Sequence, residues 1–400
     1  MNKLPANFCI APFTQHTTHP TKSFSPCPYL GGTVWDKQYP SIIDQWTSDD
    51  LEILRQDFLE NKKNQICFRC WNEEKNNKKS LRLRLFDPIN LTSDYNYVNT
   101  PGFINDTIKS IDNKTYTKSP RVLTIKNGNL CNAKCRVCHP GDSSRWIEDA
   151  NKLYKLTGKK FYQINQETTN WSDSQIDEIL QLSQNLVRLE LFGGEPTYNK
   201  KIEGLLNRII ESGNNKNITL YINTNGSVNF IERIPNIHKF KQIEIGVSFD
   251  GYDDIFSYIR HGLDFDEVVK NVKTWQTYFK EHNTDFWIDS ISTVSVFNVF
   301  YLPELKQKIM EFLPLSPYWN LLIAPAYLSI QNMPQLLKDK TIEKLANDPD
   351  FSELINVMNQ PADNVQWNKF LEITSSLDLI RNENFKNTFP ELAQILYTSK

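Results

Sequence analysis

No sign of charge dominates this chain. In 400 residues, 45 Lys and Arg stand against 47 Asp and Glu, a net of −2, and no long one-signed block occurs. Nucleic acid and anionic membranes both demand a basic surface, so neither is the expected main partner. Long hydrophobic runs are missing too; the longest, Leu321 to Ile330, is far short of a bilayer span. Met1 to Pro5 carry one lysine and no apolar segment, so no secretory signal is expected and the chain reads as cytoplasmic. Repeats and low-complexity tracts are absent. With 39% hydrophobic and 23% charged residues, and only 20 Pro and 14 Gly, the composition excludes a disordered or collagenous protein. The length suffices for two or three domains with real cores.

An even cysteine count is also lacking. Seven cysteines cannot all pair, and a reducing cytosol disfavours disulfides. Their spacing is the stronger signal. Cys131, Cys135 and Cys138 form C-x3-C-x2-C, Cys67 and Cys70 form C-x2-C, and Cys9 and Cys27 stand alone upstream. Buried free thiols acting as small hydrophobes explain one isolated cysteine but not a triplet. Thiolates at this density want a soft metal. The two C-x2-C pairs lie too far apart for a zinc ribbon, though folding could join them. A triplet without a nearby fourth cysteine suits a cubane iron–sulfur cluster with three protein ligands and one open iron. His139, directly after the triplet, is read as a loop histidine.

Around the triplet, strands alternate with helices. Strand signals cover Arg121–Lys126, Asn185–Phe192, Ile218–Asn223, Gln242–Phe249, Phe286–Val296 and Tyr318–Ala324. Helical spacing covers a segment capped by Asp142 or Ser143 and running to Tyr154, then Ile202–Ile210, Phe265–Phe279 and Pro303–Phe312. Repeated β–α units imply a parallel sheet with functional groups at the strands' C-terminal ends. The fold class expected is α/β, a partial (β/α)6 TIM-like barrel of six strands, open on one side.

Residues from about Arg121 to Ala326 resemble the core of a radical S-adenosylmethionine enzyme. The resemblance rests on the cysteine triplet, Gly193-Gly194-Glu195-Pro196, Thr224-Asn225-Gly226 and Ser248-Phe249-Asp250-Gly251, with Arg260 twelve residues after Ser248. Val137 stands where the family commonly has an aromatic, and would present its apolar face to the adenine. The resemblance implies a site-differentiated 4Fe-4S cluster held by Cys131, Cys135 and Cys138, with S-adenosylmethionine chelating the open iron. It also implies Glu195 for the methionine amino group, Gly193 and Gly194 for close backbone approach, Ser248 for the ribose and Arg260 for the carboxylate. Asn225 could reach either of the last two groups. Asp250 is the candidate catalytic acid or base, with a loop-organising role as the competing reading. A one-electron donor such as flavodoxin or ferredoxin is the implied partner.

Upstream, about Phe8 to Arg82 resembles the auxiliary-cluster module called SPASM, or its shorter twitch form, placed before the barrel rather than after it. Cys9, Cys27, Cys67 and Cys70 would ligate one auxiliary 4Fe-4S cluster, with a structural zinc as the competing occupant. The nearby Lys75, Lys78 and Lys79 are read as a solvated face. Residues 1–100 are thus the expected auxiliary module, 115–330 the barrel and 331–400 a helical extension packing on it.

Three readings of function follow. The first is an enzyme generating a 5′-deoxyadenosyl radical that abstracts hydrogen from a substrate C–H, with oxidation, epimerisation or cross-linking of a peptide as the outcome. The second is the same chemistry on a small carbohydrate or nucleoside. The third is a zinc-stabilised, non-catalytic binding module.

Overall fold

The structure, a computed structural model, describes residues 4–30, 37, 39–75, 79–85, 103–163 and 167–397. Lys78 falls outside the described residues. One eight-stranded sheet organises the chain in the order β2-β1-β3-β4-β5-β6-β7-β8. The strands are β1 Gln15–Thr18, β2 Phe24–Ser25, β3 Val122–Lys126, β4 Arg188–Phe192, β5 Thr219–Thr224, β6 Gln242–Ser248, β7 Phe286–Val294 and β8 Tyr318–Leu321. Every neighbouring pair is parallel except β1 with β2. The two outer strands, β2 and β8, do not pair with each other, so the sheet stays open.

The six expected strands become eight, because residues 15–18 and 24–25 join the same sheet. Gln15-His16-Thr17-Thr18 has no apolar residue, so hydrophobic periodicity could not show it as a strand. Yet all four residues are buried, and β1 lies in register beside β3 from Gln15 opposite Val122 to Thr18 opposite Ile125. The helix after the triplet starts at Trp146, not at the expected cap. Ser143 instead donates its hydroxyl to the carbonyl of Ala133 inside the cysteine loop, at 2.5 Å.

Strand alternation sorts the side chains onto two faces. Leu123, Ile125, Leu189, Leu191, Leu220, Ile222, Ile243, Ile245 and Val247 form an apolar layer at most 1% exposed. The helices pack over it, among them Lys200–Ser212 and Phe265–Glu281. The other face is polar. Arg188 pairs with Glu190 Oε1 and with Glu244 Oε2, both at 2.7 Å, while Thr124 donates to Glu190 Oε2 at 2.6 Å. The Arg188–Glu244 pair joins β4 to β6 across β5 on this face. That face is the lumen. Beyond Ile330 the chain is helical, with Gln335–Leu345, Ser352–Met358 and Asn364–Arg381 as the main segments.

Upstream, Ser41 and Ser48 cap Ile42–Trp46 and Asp49–Leu59 through their side-chain oxygens. His16 is fully buried with Nε2 at 2.9 Å from Gln45 Oε1. Burial lowers its pKa to about 4, and Arg55 adds to this against the Gln45 hydrogen bond. The unfolded value is near 6.5. Between those values the unfolded chain takes up a proton that the folded chain refuses, so stability falls as pH drops through 6.5 towards 4. The expected loss is about 3 kcal/mol. Urea unfolding at pH 7 and pH 4.5 checks it, because about 2 kcal/mol of that loss falls between those values and His16→Gln should remove it.

Candidate metal and cofactor site

Because β3 to β6 are parallel neighbours, their C-terminal ends lie along one edge of the sheet. That edge collects the sequence motifs. The cysteine loop follows β3, Gly193 to Pro196 follow β4, Thr224 to Gly226 close β5, and Ser248 closes β6 ahead of Asp250.

The loops interlock through the backbone. Gly193 and Gly194 both adopt positive φ, at 76° and 52°. A Cβ on Gly194 would stand 2.4 Å from the carbonyl oxygen of Leu130, the residue before Cys131. The glycine therefore admits the cysteine loop, and the Glu195 amide then donates to that same carbonyl at 2.9 Å. Glu195 is wholly buried. Its Oε1 accepts from the Thr197 amide, the Thr197 hydroxyl and the Thr224 hydroxyl at 3.0, 2.6 and 2.7 Å, and its Oε2 from the Asn225 amide at 2.6 Å. Burial raises its pKa against these donors. The Asn225 side chain donates to Asn132 Oδ1 at 2.9 Å, and Asn132 donates to the Ser227 hydroxyl at 2.8 Å. The residue after Cys131 is thereby tied to the end of β5.

The three thiols are electrostatic neighbours. A hydrogen bond between Cys135 and Cys138 favours the Cys135 thiolate despite its burial, with Arg260 helping, and pushes Cys138 up. Burial, then Cys135 and Glu195, push Cys131 up to about 12. Arg260 is buried beside them, with Nη1 4.0 Å from Cys135 Sγ and Nη2 2.9 Å from Asp250 Oδ2. Asp250 is fully buried and its Oδ1 also accepts the Thr293 amide at 2.7 Å. This geometry uses Asp250 to orient Arg260 and leaves it no path to solvent. Ser248 and Val137 are half-buried, Val137 against the core. His139 is turned outward, its Nδ1 accepting the Gly141 amide and its Nε2 3.2 Å from Asp142.

Whether these residues fit a cluster is a question of charge and donors. Three thiolates on a four-iron cubane carry net negative charge, which grows on reduction. Arg260 Nε and Nε and Nη1 of Arg136 are buried without a hydrogen-bond partner, so positive charge with spare donors stands around the triplet. The donor set fits. Among the described residues, no three His, Cys, Asp or Glu side chains meet as one metal ion would require. Thiolates of a cluster bind separate irons and stand further apart.

The four upstream cysteines come together as well. Cys9, Cys27, Cys67 and Cys70 line one small cavity with Pro12, Phe58 and Leu81. Cys9 precedes β1, and Cys27 follows β2, which runs antiparallel to it. The cavity therefore lies at the amino-terminal end of the strands, opposite the triplet. Burial raises the pKa of Cys9, with Cys27 and Cys67 adding to it, and raises those of Cys67 and Cys70 likewise. Arg82 is part of the wall rather than a solvated residue. It donates to Glu74 at 2.7 Å and to the carbonyls of Ala6 and Phe8 at 3.0 Å, and lies over the Trp71 ring.

Sequence reasoning missed the interior charges. The R-x-E of β4 and the E-x-G-x-S of β6 place polar residues at period two within strands that are otherwise apolar, which is the signal of a polar lumen. It also missed Asn132, Arg136 and Trp146 as supports of the cysteine loop. Trp146 Nε1 donates to the Cys135 carbonyl at 2.7 Å.

Residues 126–288 match the family model described as Radical SAM superfamily. The radical SAM cyclopropyl synthase TigE of Paramaledivibacter caminithermalis is 23% identical over 181 residues, 45% of this chain and 37% of that protein. The chain thus spans little more than a third of the curated relative it matches. Among solved structures, Streptococcus suis SuiB bound to S-adenosylmethionine is 18% identical with a TM-score of 0.38, over 76% of this chain and 63% of that one. Native anSMEcpe with bound AdoMet is 18% identical with a TM-score of 0.35, over 62% and 64%. Among the described residues no helix is long and apolar enough to cross a membrane.

Proposed function

We propose that this chain is a radical S-adenosylmethionine enzyme with two iron–sulfur centres toward opposite ends of the sheet strands, acting on a peptide. The observation that carries the reading is the convergence at one sheet edge of Cys131, Cys135 and Cys138 with Glu195, Asn225 and Arg260. When bound, the cluster and S-adenosylmethionine supply one-electron cleavage of the sulfonium and a radical that takes hydrogen from a C–H bond.

The chain's own part is to place and shield. Arg260, held by Asp250, presents its guanidinium next to Cys135 for the methionine carboxylate. Glu195 Oε2 has one protein donor and keeps a lone pair for the amino group. Ser248, at the end of β6, stands on the same edge for the ribose, and Val137 offers an apolar face to the adenine. A peptide substrate suits the open sheet edge at β8, where Trp287 and Tyr318 are 37% and 47% exposed.

For the cavity of Cys9, Cys27, Cys67 and Cys70 we propose an auxiliary 4Fe-4S cluster. Four thiol ligands leave no iron open, so its role is to accept the electron released by the substrate. β3 spans five residues, which puts the two centres about 15 Å or more apart along the strands.

Cys67→Ala is expected to lower iron from about eight to about four per chain. Cleavage of S-adenosylmethionine should survive while product formation is lost, as read by anaerobic metal analysis and by mass spectra of peptides incubated with reduced enzyme. Unchanged turnover with the auxiliary metal gone would remove that centre from the reaction. A colourless protein holding zinc and no iron after reconstitution would overturn the enzyme itself.

A further inference from the structure

The cysteine loop is held from outside the barrel by the end of the chain. Arg136 lies between the second and third cysteines and is fully buried. Its Nη2 is 2.5 Å from both Asp378 Oδ1 and Glu383 Oε2, and its guanidinium stacks 3.7 Å over the Tyr258 ring. Its backbone amide donates to the Ile259 carbonyl at 2.6 Å, and the Lys134 amide donates to that of His261 at 3.1 Å. Glu383 Oε1 contacts His261 Nδ1 at 2.5 Å, and Tyr258 donates to Asp378 Oδ1 at 2.7 Å. One turn further, Arg381 pairs with Asp149 Oδ2 at 2.8 Å and lies 4.7 Å from the Trp146 ring centre. Asp149 also takes Lys134 at 2.9 Å.

The carriers of these contacts lie at the end of the helix Asn364–Arg381. Asn382 turns into the left-handed region at φ 54° and ψ 45°, which returns the Glu383 amide to the Asp378 carbonyl at 2.9 Å. Asp378 and Glu383 therefore hold Arg136 on the loop that carries the triplet, while Arg381 of the same turn holds Asp149 and Trp146 on the helix that follows that loop. Two more observations point inwards. The Arg381 guanidinium retains Nη1 and Nη2 without a hydrogen-bond partner, as Arg136 does with Nε and Nη1. Both arginines stand among the charges that act on the triplet or on its supports.

We infer that the Asp378–Glu383 turn is a positioning element for the cluster, which fixes the cysteine loop and sets the charge behind Cys135. The inference rests on the reading that the triplet holds a cluster. Removing a carboxylate that neutralises Arg136 leaves more positive charge beside the centre and favours its reduced form. Removing Arg381 does the opposite.

The test uses the full chain purified without oxygen, with Asp378→Asn, Glu383→Gln, Arg381→Met and Arg381→Lys. Exchange of the amides of residues 131–138 in the metal-free protein should speed up about tenfold or more in the Asp378→Asn, Glu383→Gln double variant. Redox titration of the triplet's centre should show potentials moving up for the two carboxylate variants and down for Arg381→Met, with Arg381→Lys restoring the wild-type value. Exchange unchanged, or potentials all moving in one direction, overturns the positioning role. If the wild type takes up no iron at the triplet, the cluster reading fails instead, and the exchange measurement still decides whether the turn holds the loop.

Discussion

Replacing Cys131 by alanine is expected to abolish S-adenosylmethionine cleavage and to remove about four of about eight irons per chain. The fold should persist. Cys131 is buried, and its sulfur receives a long 3.5 Å contact from the Ala133 amide with the Ser143 hydroxyl also acting on it, so the truncation removes one atom and weak contacts. The chemistry has no such margin. A cubane with two thiolates has lost the ligand that fixes which iron stays open, and no protein group nearby replaces it. His139, the nearest candidate in sequence, is about half exposed and engaged with Gly141 and Asp142. Anaerobic iron and sulfide analysis, with chromatographic detection of 5′-deoxyadenosine, checks the prediction. Iron content equal to wild type would show that the triplet is not the ligand set.

The second large effect is expected from Gly194→Ala. A Cβ there meets the Leu130 carbonyl oxygen at 2.4 Å and its carbon at 3.1 Å, and backbone cannot swing aside as a side chain does. The left-handed φ of 52° costs an alanine about 1–2 kcal/mol. Forced overpacking adds about 1–3 kcal/mol. Relaxation would push Leu130, and hence Cys131, away from the end of β4, so cluster retention should fall along with stability. Gly158 is the control. It has φ 69° and nothing within 4 Å of an added Cβ, so Gly158→Ala should cost only the conformational part and leave the iron content intact. Denaturant unfolding and metal analysis of the two variants separate the effects. Equal losses at both sites would mean that close approach at Gly194 is not what the glycine provides.

Much of the site could be read directly because it is local. The triplet, Gly193 to Glu195, Thr224 to Gly226 and Ser248 to Asp250 each occupy one loop, and each loop follows a strand whose apolar alternation shows in the sequence. Parallel pairing then places those loops on one edge, so the order of motifs along the chain is already a statement about space.

Contacts between distant segments were not legible. β1 escaped because a strand buried through polar side chains carries no apolar period. The pairing of Arg136 with Asp378 and Glu383 joins residues more than 240 positions apart, and nothing in either segment names the other. Nothing near Arg82 in the sequence shows that the fold places Glu74 and two carbonyls around it.

Residue type and short-range period encode the cysteine spacing, the β–α order and the strand ends where the motifs fall, so these were readable along the chain. It took folding to show that four scattered cysteines share one cavity, that Asp250 holds Arg260, and that the end of the helix Asn364–Arg381 braces the cysteine loop. Those outcomes depend on which buried charges find partners, a long-range condition that no local stretch of residues can express.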